Sequence, residues 1–211
     1  MPSLLDEMFK ENSKPISTKT DVEKCARDLK SFALTYFPHI FYKPLSTFHD
    51  DMFSDAQSLI LDYGDTETYF VRAAPRSFGK SRIISVVFPL WCVCYSYRKN
   101  LLLLSDTNPQ AKEYIQAIKY ELENNEKLKS DFGALSGKDI GKIWREDEIV
   151  TANEIHIFSK GAGQSLRGSS FNSCRPEVVV LDRVLSFRIV GRHIRNYERA
   201  KSVEAEMPVP R

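Results

Sequence analysis

The stretch VRAAPRSFGKSRIISVVF, residues 71–88, decides how the chain is read. It opens on β-competent residues, passes through Ala74-Pro75-Arg76-Ser77-Phe78, reaches Gly79-Lys80-Ser81 and turns apolar. A small residue, four others and Gly-Lys-Ser form the Walker A pattern, with Ala74 in place of the first glycine. The chemistry requires these residue types. Backbone N–H groups of such a loop and of the following helix point at phosphate oxygens. Gly79 allows close backbone approach, Lys80 carries a compact positive charge toward the β- and γ-phosphates, and the Ser81 hydroxyl ligates Mg²⁺. Gly137-Lys138 is a decoy: Phe132 stands five residues earlier, and Asp139 replaces the hydroxyl.

A phosphate loop needs a carboxylate to hold magnesium through water. EVVVLD (177–182) supplies Asp182 at the end of an apolar, strand-like run. The next residue is Arg183, where many such ATPases carry an acid that polarises the attacking water. Arginine has no acceptor for that role. Arg76, inside the loop, either reaches the γ-phosphate as a guanidinium finger in cis or pairs with a surface acid.

Working outward, strands alternate with helices. Residues 17–37 have one charged and one apolar face and predict a helix stopped by Pro38. Ser46 or Thr47 caps a second helix to about Leu61, and DYGDTE is turn chemistry. Residues 69–74 predict a strand, and a helix starts near Gly79. LLLLS (101–105) suits a parallel strand covered on both faces. A helix follows over 109–124, with Ala111, Ile115, Ile118 and Leu122 on one side. Residues 142–158 alternate around Ala152-Asn153 as a hairpin. The sum is an α/β fold of the P-loop NTPase type: a central, mainly parallel sheet flanked by helices, preceded by an N-terminal helical segment. The expected divisions are 1–65 for that segment, 66–182 for the ATPase core and 183–211 for a basic tail.

The totals fit this reading. The chain has 211 residues and a formal net charge of +2, which permits a polyanionic partner without requiring one. Cys25, Cys92, Cys94 and Cys174 form no CxxC pair; Cys92 and Cys94 sit in an apolar run as reduced core residues, which favours a cytosolic compartment. Residues 1–10 contain Asp6 and Glu7 and lack the apolar centre of a signal peptide. The longest apolar run, 83–97, is too short to span a membrane and contains Pro89.

Several stretches together resemble the N-terminal ATPase domain of phage terminase large subunits, the motors that package DNA into capsids. They are YFP (36–38), FHDDM (48–52), APRSFGKS (74–81), LLLLSDTNPQAKEYIQAIKYELENN (101–125), IW with VTANEIHIFSKGAGQSLRG (143–168) and RPEVVVLD (175–182). The likeness spans residues 32–182. It implies ATP hydrolysis with Mg²⁺ coupled to translocation of double-stranded DNA in the host cytoplasm, with a portal and a small terminase subunit as partners and a homo-oligomeric ring as the assembly. By resemblance Lys80, Ser81 and Arg76 contact phosphate and metal, and Asp182 the metal. Phe48 and His49 fall where such proteins approach the adenine, plain helix packing being the alternative. Gly163, Ser165, Arg167 and Gly168 match a common segment in which Arg167 senses nucleotide or meets a neighbouring subunit; a simple loop-to-strand turn is the other reading.

The chain departs from the family pattern after Asp182, where no coupling motif and no nuclease cluster follow. Residues 183–211 carry Arg188, Arg192, Arg195 and Arg199 at helical spacing, a face for DNA phosphate or for solvent, or the product of a truncated or shifted reading frame, which is the favoured reading. Two rivals to the motor follow: a terminase-derived remnant that binds nucleotide without turnover, and a helicase-like ATPase.

Overall fold

The computed structural model describes residues 19–62, 68, 70–72, 78–164 and 175–182. Within the expected helix 17–37, Asp28 breaks the run. Its backbone is extended (φ −140°) and its side chain accepts from the Ser31 N–H, so it caps a second helix instead of continuing the first. The result is α1 (Lys19–Arg27) and α2 (Leu29–Tyr36), the latter ending before Pro38. Carbonyls in the last turn of α1 lack helical partners. Trp91 Nε1 donates to Cys25 O at 2.8 Å and the Tyr97 hydroxyl donates to Ala26 O, so aromatic donors from elsewhere in the chain satisfy them.

α3 (Thr47–Leu61) starts after Ser46, as its sequence predicts. α4 begins after Gly79 and comprises a first turn, Lys80–Arg82, a π-helical stretch, Ile83–Val87, and an α-helical end, Phe88–Cys94. The wide stretch has a local cause. Pro89 has no N–H for the Ser85 carbonyl, and its ring would crowd that carbonyl in an ordinary helix. Phe88 N–H bonds to Ile83 O, five residues back, which opens the turn that the proline would otherwise strain. The remaining helices are α5 (Asn108–Asn124) and α6 (Glu126–Phe132).

Four strands form one sheet: β1 (Asn100–Ser105), β2 (Glu148–Val150), β3 (His156–Gly161) and β4 (Val178–Asp182), in the order β2-β3-β1-β4. β1 runs parallel to β3 and to β4, and only β2 is antiparallel, paired with β3 across the expected hairpin. The expected strand at 69–74 is not seen at Phe70–Arg72, which are irregular and exposed; Arg72 turns its guanidinium to Asp55, 2.5 Å away. A charged pair with α3 holds this segment in place of a strand ladder. Residues 69, 73 and 74 lie outside the described set, as do 63–67 of the expected turn.

Every β1 residue is buried, as expected of a covered parallel strand. Leu101 and Leu103 join Ile157, Val178 and Val180 in the main core, together with residues of α1 to α5. Leu102, Leu104 and Phe158 cluster on the opposite face. Phe32, Tyr36, Phe37, Trp91 and Phe88 are among the largest fully buried side chains, each contributing roughly 1.5–3 kcal/mol by burial. Cys92 is buried and reduced, Cys94 partly buried and reduced, and Cys174 lies outside the described residues. Among the described residues no helix is long and apolar enough to cross a membrane.

Candidate nucleotide and metal site

Parallel strands end together, and their carboxyl ends are where open α/β sheets bind ligands. Register places Gly161 opposite Ser105, and Ser105 opposite Asp182, in one row at that edge. Side chains alternate along a strand, so Ser105 and Asp182 point to the same face as Leu103 and Val180, toward the helices of the main core.

Gly79 has φ +72°, in the left-handed region, immediately before α4. A side chain there would be strained, which explains glycine at this point of the motif. Lys80 is the first residue of α4 and partly exposed, and Ser81 is the second. The Ser81 hydroxyl donates to Asp182 Oδ2 at 2.6 Å, joining residues 101 apart in sequence. The two positions that the sequence assigned to metal binding therefore meet.

A third group reaches the same oxygen. The Tyr114 hydroxyl, from α5, also donates to Asp182 Oδ2. Burial, and after it the bond to Asp182, pushes the Tyr114 phenol up to about 12, so it remains a donor at neutral pH. The sequence reading left Tyr114 out. A signal was present: Tyr114 lies three residues after Ala111 and four before Ile118, on the apolar face of α5, and a buried tyrosine hydroxyl requires a partner. Ser105 was read only as the end of a strand; its hydroxyl donates to Gln110 Oε1 at 3.1 Å, inside the first turns of α5.

Phe48 and His49 sit against Phe78, the residue before Gly79. Ser46 N–H donates to His49 Nδ1 at 3.0 Å, which makes that nitrogen the acceptor and leaves the proton on Nε2. Nε2 then donates to Phe78 O at 2.9 Å. The His49 ring stacks on Phe78 with a 15° tilt, and Phe48 meets Phe78 edge-on. In this arrangement α3 holds the backbone just ahead of Gly79. Ala74, Pro75, Arg76 and Ser77 lie outside the described residues, as do Ser165, Arg167, Gly168 and the 183–211 tail. Gly163 is described, at φ +89° in the turn after β3.

A serine hydroxyl and a carboxylate are hard oxygen donors, and Mg²⁺ takes one or two such groups along with phosphate and water. The pair Ser81 and Asp182 fits that ion. Among the described residues no three His, Cys, Asp or Glu side chains gather into a metal cluster, so a magnesium here would draw its other ligands from nucleotide and solvent. No protein-family model matches the chain, and neither a curated protein nor a solved structure does.

Proposed function

We propose that the chain is a P-loop ATPase that binds Mg-ATP at Gly79-Lys80-Ser81 and Asp182, and that it serves as the ATPase part of a viral DNA-packaging motor. The observation that carries the nucleotide site is the Ser81–Asp182 bond of 2.6 Å, which unites the two halves of the motif at the carboxyl edge of a mainly parallel sheet. The motor assignment rests on the terminase-like stretches of the sequence alone, and with it double-stranded DNA, the portal, the small subunit, the ring and the host cytoplasm.

Phosphoryl transfer is mostly positioning and charge stabilisation. Lys80 neutralises the β- and γ-phosphates. The Ser81 hydroxyl keeps its proton and donates it to Asp182, which would leave its oxygen lone pairs free for the metal. Ser81 and Asp182 would hold a magnesium ion there, which would supply charge stabilisation to the phosphates. Water attacks the γ-phosphorus, the bond to the β-phosphate oxygen breaks, and ADP and phosphate leave. His49 keeps the Phe78 carbonyl fixed just ahead of Gly79.

Arg183 favours a second reading, in which nucleotide binds without turnover. Calorimetric titration with ATP, with and without magnesium, tests the site in the wild type and in Lys80→Ala. The expected loss in the variant is at least about tenfold, the scale of one charge-assisted contact. Equal affinity in the two proteins removes the proposal. Phosphate release by the wild type separates the ATPase from the binding module. Under the second reading Arg183→Glu raises release, and no gain places the defect elsewhere. Stimulation by duplex DNA without strand separation distinguishes a packaging motor from a helicase.

A further inference from the structure

Asp182 is the last residue of β4, paired with the last residue of β1. Strand pairing fixes its Cα but not the plane of its carboxylate. Two hydroxyls from two different helices fix that plane. Ser81 of α4 and Tyr114 of α5 both donate to Oδ2. Among the described residues no group donates to Oδ1. One carboxylate oxygen is thus tied to protein by two hydroxyls, and the other accepts no bond from a described residue.

Tyr114 is well built for this task. α5 starts from a Thr107 cap directly after β1 and buries Ala111, Ile115, Ile118 and Leu122 beside Tyr114. Its ring is therefore held by packing over several turns, whereas Ser81 sits in the first turn of α4, next to the phosphate loop. We propose that Tyr114 is a positioning residue that orients the Asp182 carboxylate for magnesium, by holding Oδ2 so that Oδ1 addresses the metal and its water. This rests on the Mg-ATP reading of the site. Partners that orient a metal's ligands typically affect metal affinity by 10- to 100-fold, on the order of magnitude measured elsewhere.

The test uses the full chain and Tyr114→Phe, which keeps the ring and removes only the hydroxyl. Tyr120→Phe, on the same helix but exposed, is the control. A fluorescent ATP analogue reports binding while Mg²⁺ is titrated, and again in EDTA. The expected result is an increase of about tenfold in the Mg²⁺ concentration for half-saturation, with affinity in EDTA unchanged and Tyr120→Phe like the wild type. A Mg²⁺ midpoint unchanged in Tyr114→Phe overturns the positioning role and leaves the Mg-ATP reading standing. A wild type whose nucleotide binding ignores Mg²⁺ overturns both. In an Asp182→Asn background the tyrosine substitution is expected to add nothing to the Mg²⁺ midpoint; a full additive shift shows that the hydroxyl acts apart from the carboxylate. If Tyr114→Phe lowers folding stability enough to obscure binding, 3-fluorotyrosine placed at position 114 of the otherwise wild-type chain gives a second reading. Its ¹⁹F resonance is expected to move when Mg²⁺ joins a nonhydrolysable ATP analogue, and a line that stays put overturns the inference.

Discussion

Replacing Asp182 by asparagine separates a metal ligand from a structural prop. Asp182 is 6% exposed and accepts two hydroxyl bonds on one oxygen. Hydrogen bonds to a charged group contribute about 1.5–3 kcal/mol each, against about 1 kcal/mol for neutral partners. The carboxamide oxygen still accepts both hydroxyls, so each bond weakens by roughly half. That loss of about 2 kcal/mol is partly offset because a buried charge no longer has to be desolvated. The net expectation is a destabilisation of about 1 kcal/mol, read by urea denaturation in EDTA. The effect on magnesium is larger. A neutral amide neither attracts the cation nor orders its water as a carboxylate does, so Mg²⁺-dependent ATP affinity should fall at least about tenfold. In EDTA the sign reverses or vanishes: with one negative charge fewer beside the phosphates, affinity stays level or rises. Calorimetry under both conditions reads the difference. An equal fall with and without magnesium refutes the reasoning, because it means Asp182 shapes the loop and does not serve the metal.

Other substitutions probe the frame around the site. Ser85 is fully buried and its Oγ has no partner among the described residues, so Ser85→Ala should be neutral or stabilising by up to about 1 kcal/mol in urea denaturation. A Cβ on Gly161 would stand 2.5 Å from Asn108 N, at the start of the helix that carries Tyr114. Gly161→Ala should therefore cost about 1–3 kcal/mol, visible as a lower Tm, with a rise in the Mg²⁺ midpoint as α5 is displaced. His156 is buried beside Asn100 and Glu148, and burial holds its imidazole below the ordinary value of 6.5 against the opposing pull of Glu148. As pH falls through 6.5 the unfolded chain takes up the proton first, so the contribution of His156 is present above that pH and is lost as pH drops toward its lower folded value. Denaturation at pH 7.5 and at about 5.5 should show this decline, and His156→Gln should flatten it.

Much of the fold was legible because local chemistry and tertiary packing agree. The apolar run 101–104 has no polar face to offer solvent, which suits a strand covered on both sides, and β1 is buried throughout. Alternation around Ala152-Asn153 fixed the hairpin of β2 and β3. The split at Asp28 was less visible, since the charged and apolar faces run on through it; what breaks the helix is a cap bond to the Ser31 N–H, which periodicity does not register. The absence of a ladder at Phe70–Arg72 was invisible for a different reason. β-propensity describes a surface that fits a sheet, while pairing depends on a neighbour distant in sequence.

The sequence by itself determined the chemical types at the candidate site: a glycine at the bend, a lysine beside it, and a serine and an aspartate with hard oxygen donors. It did so because each type is dictated by chemistry confined to a few adjacent atoms. Only the tertiary structure decided that Ser81 and Asp182 touch, that Tyr114 joins them, and that His49 turns to the Phe78 carbonyl. Those contacts depend on which strand lies beside β1, how α5 packs on the sheet, and where α3 meets Phe78. They are set by burial of the shared core, a property of the whole chain that no short stretch contains.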